Sequence, residues 1–380
     1  MWNDAIKYIH KEGKFTPEML KAEPVRAMID ETCNVLGNSL SKIEQKIPPE
    51  LTAALNQNVY KFSACKTAAE MKEVSSLLKD SNGGIKSFNQ FKQDVDKLNL
   101  TYNKTYLETE YNFAVASAQM AAKWADLIQD GEEEVWLQYR TAGDSSVRPE
   151  HQALNGITLP ANDPFWDAYY PPNDWGCRCT AVEVRQGKYP PSDSRDAMKA
   201  GELATAKPAQ KIFRFNPGKE QVVFPDKHPY FNANTDVKKV VNNLALDNVS
   251  AEIRKWAATN EQKRYKYDNL ETGVLNLSAR GLKDASFLYK THTHSAEEKR
   301  IFIDLAKNAG KLNLIKSEPV GERKDLNNLT DSKNIKNKKK RGVTKYNIYS
   351  YTYNGKNYEI GFEVIKEIYE QPSYVKVKTL

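Results

Sequence analysis

The sequence predicts an α+β protein with a helical N-terminal region, a loop-rich middle module with short strands, and a small C-terminal α+β domain. Apolar residues recur at helical spacing through residues 17–130. Tryptophans, prolines and turn pairs replace that pattern over residues 135–184. Near the end of the chain, aromatic and apolar residues alternate with polar ones on both sides of an Asn-Gly pair, as in a β-hairpin. These changes of pattern divide the chain into a helical front, a loop-rich middle and a separate C-terminal domain.

The composition describes a polar chain that can still bury a core. The chain has 380 residues, of which 40% are hydrophobic, and a mean hydropathy of −0.70. No stretch approaches the ~18 apolar residues that span a bilayer, so no membrane partner is expected. The first residues lack the basic and apolar regions of a signal peptide. Four cysteines are too few for a disulfide framework in a chain of this length, which favours a reducing compartment.

Helix signals divide the front of the chain. The pair Pro48-Pro49 and the "DSNGG" of residues 80–84 separate successive helices. The clearest helix runs from about Asn103 to Gln129, because one stripe recurs at steps of four and three. Its members are Leu107, Tyr111, Ala114, Ala118, Ala121, Ala125 and Ile128. Since most of this stripe is alanine, the backbone of a neighbouring element is expected to approach closely.

The middle module is expected to be loop-rich and flanked by two short strands. These strands are "VWLQYRT" at its start and "RCTAVEV" at its end. Residues 185–235 contain several prolines and predict an extended connector. A short helix is expected over residues 236–260.

Cys177 and Cys179 lie on either side of Arg178 at the end of the middle module. In a strand, residues two apart share a face, so the two thiols converge while the arginine points away. A disulfide between them would close a small, strained ring. Three interpretations stay open: both are small buried residues, both bind zinc with His151 and Asp144, or one is a redox or nucleophilic thiol. The last lacks a second nearby histidine to act as a base.

The final hundred residues predict one helix followed by antiparallel strands. Ser295 is placed as the N-cap of a helix that stops at Gly310, and a strand begins at Leu312. "TKYNIYSYTYNGKNYEIGFEVI" predicts a hairpin, and "SYVKVKTL" a further strand. Residues 331–345 carry six Lys and one Arg against one Asp, and are interpreted as a basic loop. Such a loop either contacts nucleic acid or is simply solvated.

The ordered motif of the middle module resembles the head-morphogenesis module of phage Mu F-like minor capsid proteins. The family pattern has a Thr-x-x-Asp, a basic residue with a histidine, Leu-x-Gly, a Pro-Pro-Asn segment and a closing Cys-Arg-Cys. The matching residues here are Thr141, Asp144, Arg148, His151, Leu154, Gly156, Pro171 to Asn173, and Cys177 to Cys179. "TEYNFAVASAQMAAKW" is similar to the helix that precedes the module in that family. The resemblance covers roughly residues 60–185. It therefore implies a helical segment over residues 1–59, a Mu F-like domain over 60–185, a connector with a helical part over 186–283 and a C-terminal domain over 284–380.

This resemblance implies a phage minor head protein that acts in head morphogenesis. Its expected location is the virion head, after assembly in the host cytoplasm. Its expected partners are the portal protein and other capsid or scaffold proteins, with phage DNA as a further candidate. No catalytic activity is implied for the module, so Asp144, His151, Cys177 and Cys179 are interpreted as a stabilising cluster, held together either by one structural zinc ion or by a dense polar network. Trp166 and Trp175 are expected to cap the same small core.

The C-terminal domain is similar in element order to the barnase/EndoU/colicin/RelE group of metal-independent RNases. Such enzymes need a base, an acid and a cation at the phosphate. His292 and His294 precede the predicted helix, where phosphate is favoured. The candidate catalytic residues are therefore His292, His294, Arg341, Thr344 and Lys376. The alternative is a purely structural virion protein whose C-terminal domain binds portal, scaffold or DNA.

Overall fold

The computed structural model describes residues 1–43, 47–128, 131, 135–260, 263–278, 296–320, 332–353 and 356–377. The chain divides into two compact units, Met1–Asn243 and Leu244–Leu380. Helices and a small sheet make up the first unit, and a larger sheet dominates the second. The predicted α+β class is therefore confirmed.

Helices form most of the first unit. They are α1 (Trp2–Glu12), α2 (Glu23–Gly37), α3 (Pro49–Ser76), α4 (Phe88–Leu100), α5 (Leu107–Leu127), α6 (Pro149–Gln152), α7 (Phe165–Tyr169), α8 (Ser194–Ala204), α9 (Pro217–Glu220) and α10 (Thr235–Asn260), which continues past Asn243. Helix α4 begins at Ser87, whose hydroxyl accepts a hydrogen bond from the Gln90 backbone N–H. A π-helical turn over Thr101–Tyr106 joins α4 to α5. None of the described helices is long and apolar enough to cross a membrane.

Helix α5 packs between two apolar cores. Its first half places Phe113 and Ala114 in a core with residues of α2 and α3, and its second half places Met120 and Trp124 in the core of the middle module. The alanines of the predicted stripe at 114, 118 and 121 are fully buried. The close approach is seen at Ser117, whose hydroxyl donates a hydrogen bond of 2.7 Å to the backbone oxygen of Val223. The stripe therefore has the role that the sequence predicted.

The predicted extended connector over residues 185–235 is wrong in part, because it contains helix α8. Asp193 starts that helix by accepting hydrogen bonds from the backbone N–H groups of Arg195 and Asp196. Further along, the backbone N–H groups of Val223 and Phe224 both donate to the buried Asn58 side chain of α3, at 3.0 and 2.8 Å. This segment is consequently part of the core of the first unit.

The middle module contains a three-stranded antiparallel sheet in the order β2-β1-β3. The strands are β1 (Trp136–Arg140), β2 (Thr158–Pro160) and β3 (Thr180–Glu183). Leu137 pairs with Leu159 on one side and with Glu183 on the other. Helices α6 and α7 lie in the long connection between β1 and β3, so residues distant in sequence meet at the Arg140 end of β1.

The second unit is a six-stranded sheet in the order β4-β5-β9-β8-β7-β6. Its strands are β4 (Tyr265–Lys266), β5 (Val274–Leu275), β6 (Asn313–Pro319), β7 (Val343–Tyr353), β8 (Lys356–Ile365) and β9 (Tyr369–Val377). Strands β6 to β9 pair antiparallel, which confirms the predicted hairpin and closing strand, whereas β5 and β9 are parallel. Helix α11 (Ala296–Asn308) contributes Ile301, Phe302 and Leu305 to the core against β7 and β8.

The predicted basic loop over residues 331–345 is wrong, because five of its six lysines lie in helix α12 (Ser332–Lys340) and the sixth, Lys345, lies in β7. Lysine is a good helix former, and the repulsion between neighbouring ammonium groups is offset here by a buried acid. Lys338 and Arg341 both form ion pairs with Glu363 of β8, which is only 1% exposed. The remaining lysines at 336, 339 and 340 are exposed.

Candidate metal centre in the middle module

The turn before β3 carries the two cysteines. The Asp174 side chain accepts a hydrogen bond from the Trp175 backbone N–H, and the Asp174 backbone oxygen accepts one from Cys177 N–H. Gly176 has a φ of 64°, in the left-handed region that glycine adopts without strain. Both cysteines therefore lie in the short segment between this turn and β3, and not in the strand itself as the sequence predicted.

Helix α6 brings His151 to the same point. The imidazole Nδ1 lies 3.6 Å from Cys177 Sγ and 3.7 Å from Cys179 Sγ, and these three ligand atoms all lie within 4.8 Å of one another. The three side chains are buried. Among the described residues, they form a His-Cys-Cys group that can hold a metal ion.

The distances fit tetrahedral zinc. With Zn–S near 2.3 Å and Zn–N near 2.0–2.1 Å, a tetrahedral ion places the nitrogen and sulfur atoms about 3.6 Å apart. Weak hydrogen bonds between thiol and imidazole fit the same distances, so geometry alone leaves both states open. His151 Nε2 is buried and has no hydrogen-bond partner among the described atoms. A metal on Nδ1 would use the ring nitrogen that faces both thiols and would leave Nε2 as the protonated nitrogen of the ring.

Without a metal, the two thiols have pKa values that are shifted in opposite directions. The hydrogen bond from Cys179 and the neighbouring His151 lower the pKa of Cys177, against the effect of burial. The same hydrogen bond and burial raise the pKa of Cys179. Of the two thiols, Cys177 is therefore the one that ionises first, and a bound cation would displace the remaining proton from Cys179.

A second layer of polar groups surrounds the cysteines. The Tyr139 hydroxyl of β1 donates a hydrogen bond of 2.9 Å to the Asn173 side chain, and it also interacts with Cys179. The Asn173 backbone hydrogen-bonds to Cys177. Sequence reasoning missed Tyr139, although its position on a strand that faces the cysteine turn was a usable signal. Groups of this kind orient metal ligands and thiolates.

Asp144, the fourth predicted ligand, lies outside the His-Cys-Cys group. Its carboxylate accepts two hydrogen bonds from the Arg178 guanidinium, at 2.6 and 2.7 Å, and both side chains are about half exposed. This arginine holds the pKa of Asp144 below its usual range. Arg178, the residue between the cysteines, therefore connects the cysteine segment to the loop that contains Asp144 through an ion pair at the surface.

Other motif residues have structural contacts in the same module. The Arg148 guanidinium donates to the backbone oxygen of Trp175 at 2.7 Å. Gly156 N–H donates to the backbone oxygen of Tyr139, and Leu154 is fully buried. Trp166 packs in the core of the middle module as expected, whereas Trp175 packs against the helical core instead.

The candidate catalytic residues of the C-terminal domain are only partly described. Arg341 forms an ion pair with the buried Glu363, and Thr344 donates to Glu367 at 2.5 Å. Lys376 is placed by its backbone, opposite Glu359. His292 and His294 lie outside the described residues. The described contacts of Arg341 are those of a structural ion pair in the sheet.

The fold and the site together define a protein in which a helical framework carries a small sheet module closed by a His-Cys-Cys group. Residues 72–182 match the family model described as Phage Mu protein F like protein. The chain therefore carries a Mu F-like domain, and the resemblance predicted from its motif is confirmed.

Two curated relatives are each similar to part of the chain. The Mu-like prophage FluMu F protein of Haemophilus influenzae is 38% identical over 89 residues, which are 22% of this chain and 22% of that protein. The putative capsid assembly protein F of Escherichia phage Mu is 36% identical over 73 residues, which are 19% of this chain and 17% of that protein. The chain thus matches about a fifth of the length of each relative. No solved structure matches the chain.

Proposed function

We propose that this chain is a phage minor head protein that acts in head morphogenesis. The match of residues 72–182 to the Mu F-like family carries this proposal, and the name of the phage Mu relative supports a role in capsid assembly. Its partners would be other head proteins, with the portal protein first among them, and its location would be the capsid interior.

Deletion of the gene from the phage or prophage that encodes it would test this role. Electron microscopy of the lysate should then show defective or empty heads, and the full chain supplied in trans should restore them. Cross-linking inside purified heads should join the chain to the portal. Normal, filled heads in the deletion strain would contradict the proposal.

Within that role, the His151, Cys177 and Cys179 group is proposed to hold one structural zinc ion. The roughly 50 residues of the middle module have a small core of their own, which residues of α5 and α8 extend, and a bound metal would add further stability to it. Elemental analysis of the full chain should find about one zinc per chain. The Cys177→Ser/Cys179→Ser variant should lose it, whereas Cys33→Ser, a change outside the group, should keep it. Metal-free protein of unchanged stability would leave only a packing role.

The C-terminal unit is proposed to contact nucleic acid through α12. Lysines 336, 339 and 340 share one exposed face of this helix, at the i, i+3 and i+4 spacing. Changing all three to glutamine should weaken binding of the full chain to DNA and reduce the salt slope of log K by up to about 3. The matched control changes Lys11, Lys14 and Lys21, which are equally exposed, and should leave both quantities unchanged. Equal losses in both variants would indicate only a net-charge effect.

The RNase hypothesis for the same unit rests on its element order and on two histidines. Full-length protein incubated with RNA in the presence of a chelator should cleave it if the hypothesis holds, and the His292→Ala and His294→Ala variants should not. Intact RNA with wild-type protein would favour the binding role alone.

A further inference from the structure

A small cavity lies beside the His-Cys-Cys group. Its volume is about 20 Å³, and its wall includes His151, Cys177, Cys179, Ser146 and Arg148. A cavity needs roughly 10–15 Å³ to hold one water molecule, so this one admits a single water or one donor atom of similar size. It touches all three candidate ligands at once.

The described residues offer the metal three ligands and no fourth. Asp144 is held by Arg178, and no other His, Cys, Asp or Glu side chain in the described part of the chain joins the group. Structural zinc sites are usually closed by four protein ligands, whereas sites with three protein ligands keep a position for solvent or a bound molecule. The cavity lies where such a position is needed.

The charges around the cavity select the kind of ligand. Two thiolates neutralise a divalent ion, so the bound centre carries no net charge before a fourth ligand arrives. Among the described residues, the cavity wall contains Arg148 and Arg178 and no acidic side chain. Both guanidinium groups are paired with carboxylates that lie outside the wall, Arg148 with Asp174 at 3.6 Å and Arg178 with Asp144. The wall itself therefore presents N–H donors and no carboxylate, which favours a neutral or anionic donor over a cationic one.

We propose that the metal held by His151, Cys177 and Cys179 has an open fourth coordination position in this cavity, which takes water at rest and exchanges it for a monodentate anion. This inference rests on the proposed metal site. The structural zinc proposal requires only that the metal stabilises the fold. The open fourth position additionally requires that the bound metal exchanges an external ligand.

Cobalt substitution of the full chain separates the two ideas. Co²⁺ in a site with two thiolates gives visible d–d bands and a thiolate charge-transfer band. Added azide should shift the d–d bands in a saturable way, because it replaces the water. X-ray absorption of the zinc-loaded chain should find two sulfur and two lighter ligands.

A designed ligand provides the control. Ser146 lines the cavity, so Ser146→Cys should close the site: the charge-transfer band should grow by a third thiolate, and azide should no longer shift the d–d bands. The neighbouring Ser145→Cys variant places a thiol outside the cavity wall and should keep the azide response. Absence of cobalt bands would refute the metal site itself. Tetrahedral bands that ignore azide in the wild-type chain, or three sulfur ligands in the zinc form, would overturn the open position alone.

Discussion

Lys66 of α3 and Glu110 of α5 form an ion pair inside the first unit, and the two residues are only 1% and 4% exposed. Removing one partner of a buried pair leaves an uncompensated charge, which typically costs about 3–5 kcal/mol. The Lys66→Met variant should therefore lower the free energy of unfolding by about 3 kcal/mol, measured by urea denaturation. The double variant Lys66→Met/Glu110→Leu should recover most of that loss, because no unpaired charge remains.

The exposed pair Lys199–Asp196, at 3.2 Å, is the matched control for this prediction. Lys199→Met removes the same kind of charge from solvent and should leave the free energy of unfolding almost unchanged. A loss for Lys66→Met no larger than that of the control would show that the buried pair carries no special energetic weight.

Glu70 lies one helical turn from Lys66, and its raised pKa should make the free energy of unfolding depend on pH. Burial raises its pKa from the usual 4.5 to about 8, although hydrogen bonding from Asn103 and the charge of Lys66 act in the opposite direction. The folded state therefore retains a proton that the unfolded chain loses above pH 4.5. This contribution to stability is fully present below pH 4.5 and is lost as the pH rises to 8, by an amount on the order of a few kcal/mol.

The Glu70→Gln variant tests this pH dependence, because glutamine cannot ionise. Its free energy of unfolding should fall less than that of the wild type between pH 5 and pH 8, in urea titrations at matched salt. If the two pH profiles run parallel, the proton is not retained by Glu70.

Single residues of the candidate site show what the sequence could predict. His151, Cys177 and Cys179 were chosen from residue type and order, and the structure brings their ligand atoms together. The sequence predicts Asp144 as a ligand on the same grounds, yet its carboxylate pairs with Arg178. A guanidinium group can donate two parallel hydrogen bonds to the two oxygens of a carboxylate, which makes this pairing favourable. Sequence order cannot reveal which of several nearby groups an acid will pair with. Trp175 was misplaced for the same reason, since its partners Phe113 and Phe213 lie far away in the chain.

At the scale of elements, the packing of α8 on α7 makes a prediction. A Cβ added at Gly201 of α8 would lie 2.4 Å from the ring of Tyr169 in α7, closer than any real contact. Gly201→Ala should therefore lower the free energy of unfolding by about 1–3 kcal/mol through overpacking. Gly37→Ala in α2 is the control: nothing lies within 4 Å of the added Cβ, so stability should stay equal or rise by up to about 1 kcal/mol. Thermal unfolding of both variants measures the difference, and equal shifts would contradict the proposed close contact.

The elements that the sequence predicts correctly are those whose residue pattern repeats along the chain. The stripe of α5 and the alternation of β7 and β8 repeat over ten residues or more, so periodicity alone identifies them. The sequence pattern misses helix α12 because the acid that pairs with Lys338 and Arg341 is Glu363, on a strand more than 20 residues later. It misses helix α8 for a different reason. The cap of α8 is local, since Asp193 accepts hydrogen bonds from backbone N–H groups two and three residues later, but the prolines around it predict an extended connector.

At the scale of the whole molecule, the two units have separate apolar cores. The core of the middle module draws on α5, α7, α8 and the β1–β3 sheet, whereas the core of the second unit draws on α11 and on strands β7 and β8. No residue belongs to both of these cores as described. Stability in such a chain is local, and a change in one core opens the hydrogen bonds around it before those elsewhere.

Loss of the proposed metal should therefore destabilise only the first unit, which contains the His-Cys-Cys group. In the Cys177→Ser/Cys179→Ser variant, hydrogen exchange followed by mass spectrometry should show faster exchange in β1 and β3, because the turn that carries both cysteines joins directly onto that sheet. Exchange in β7 and β8 should match the wild-type chain, since their core contains none of the affected residues. Chelator treatment of the wild-type chain should reproduce the pattern of the variant. Faster exchange across both units would mean that they unfold together, and unchanged exchange in β1 and β3 would mean that the cysteine pair does not support the sheet that it joins.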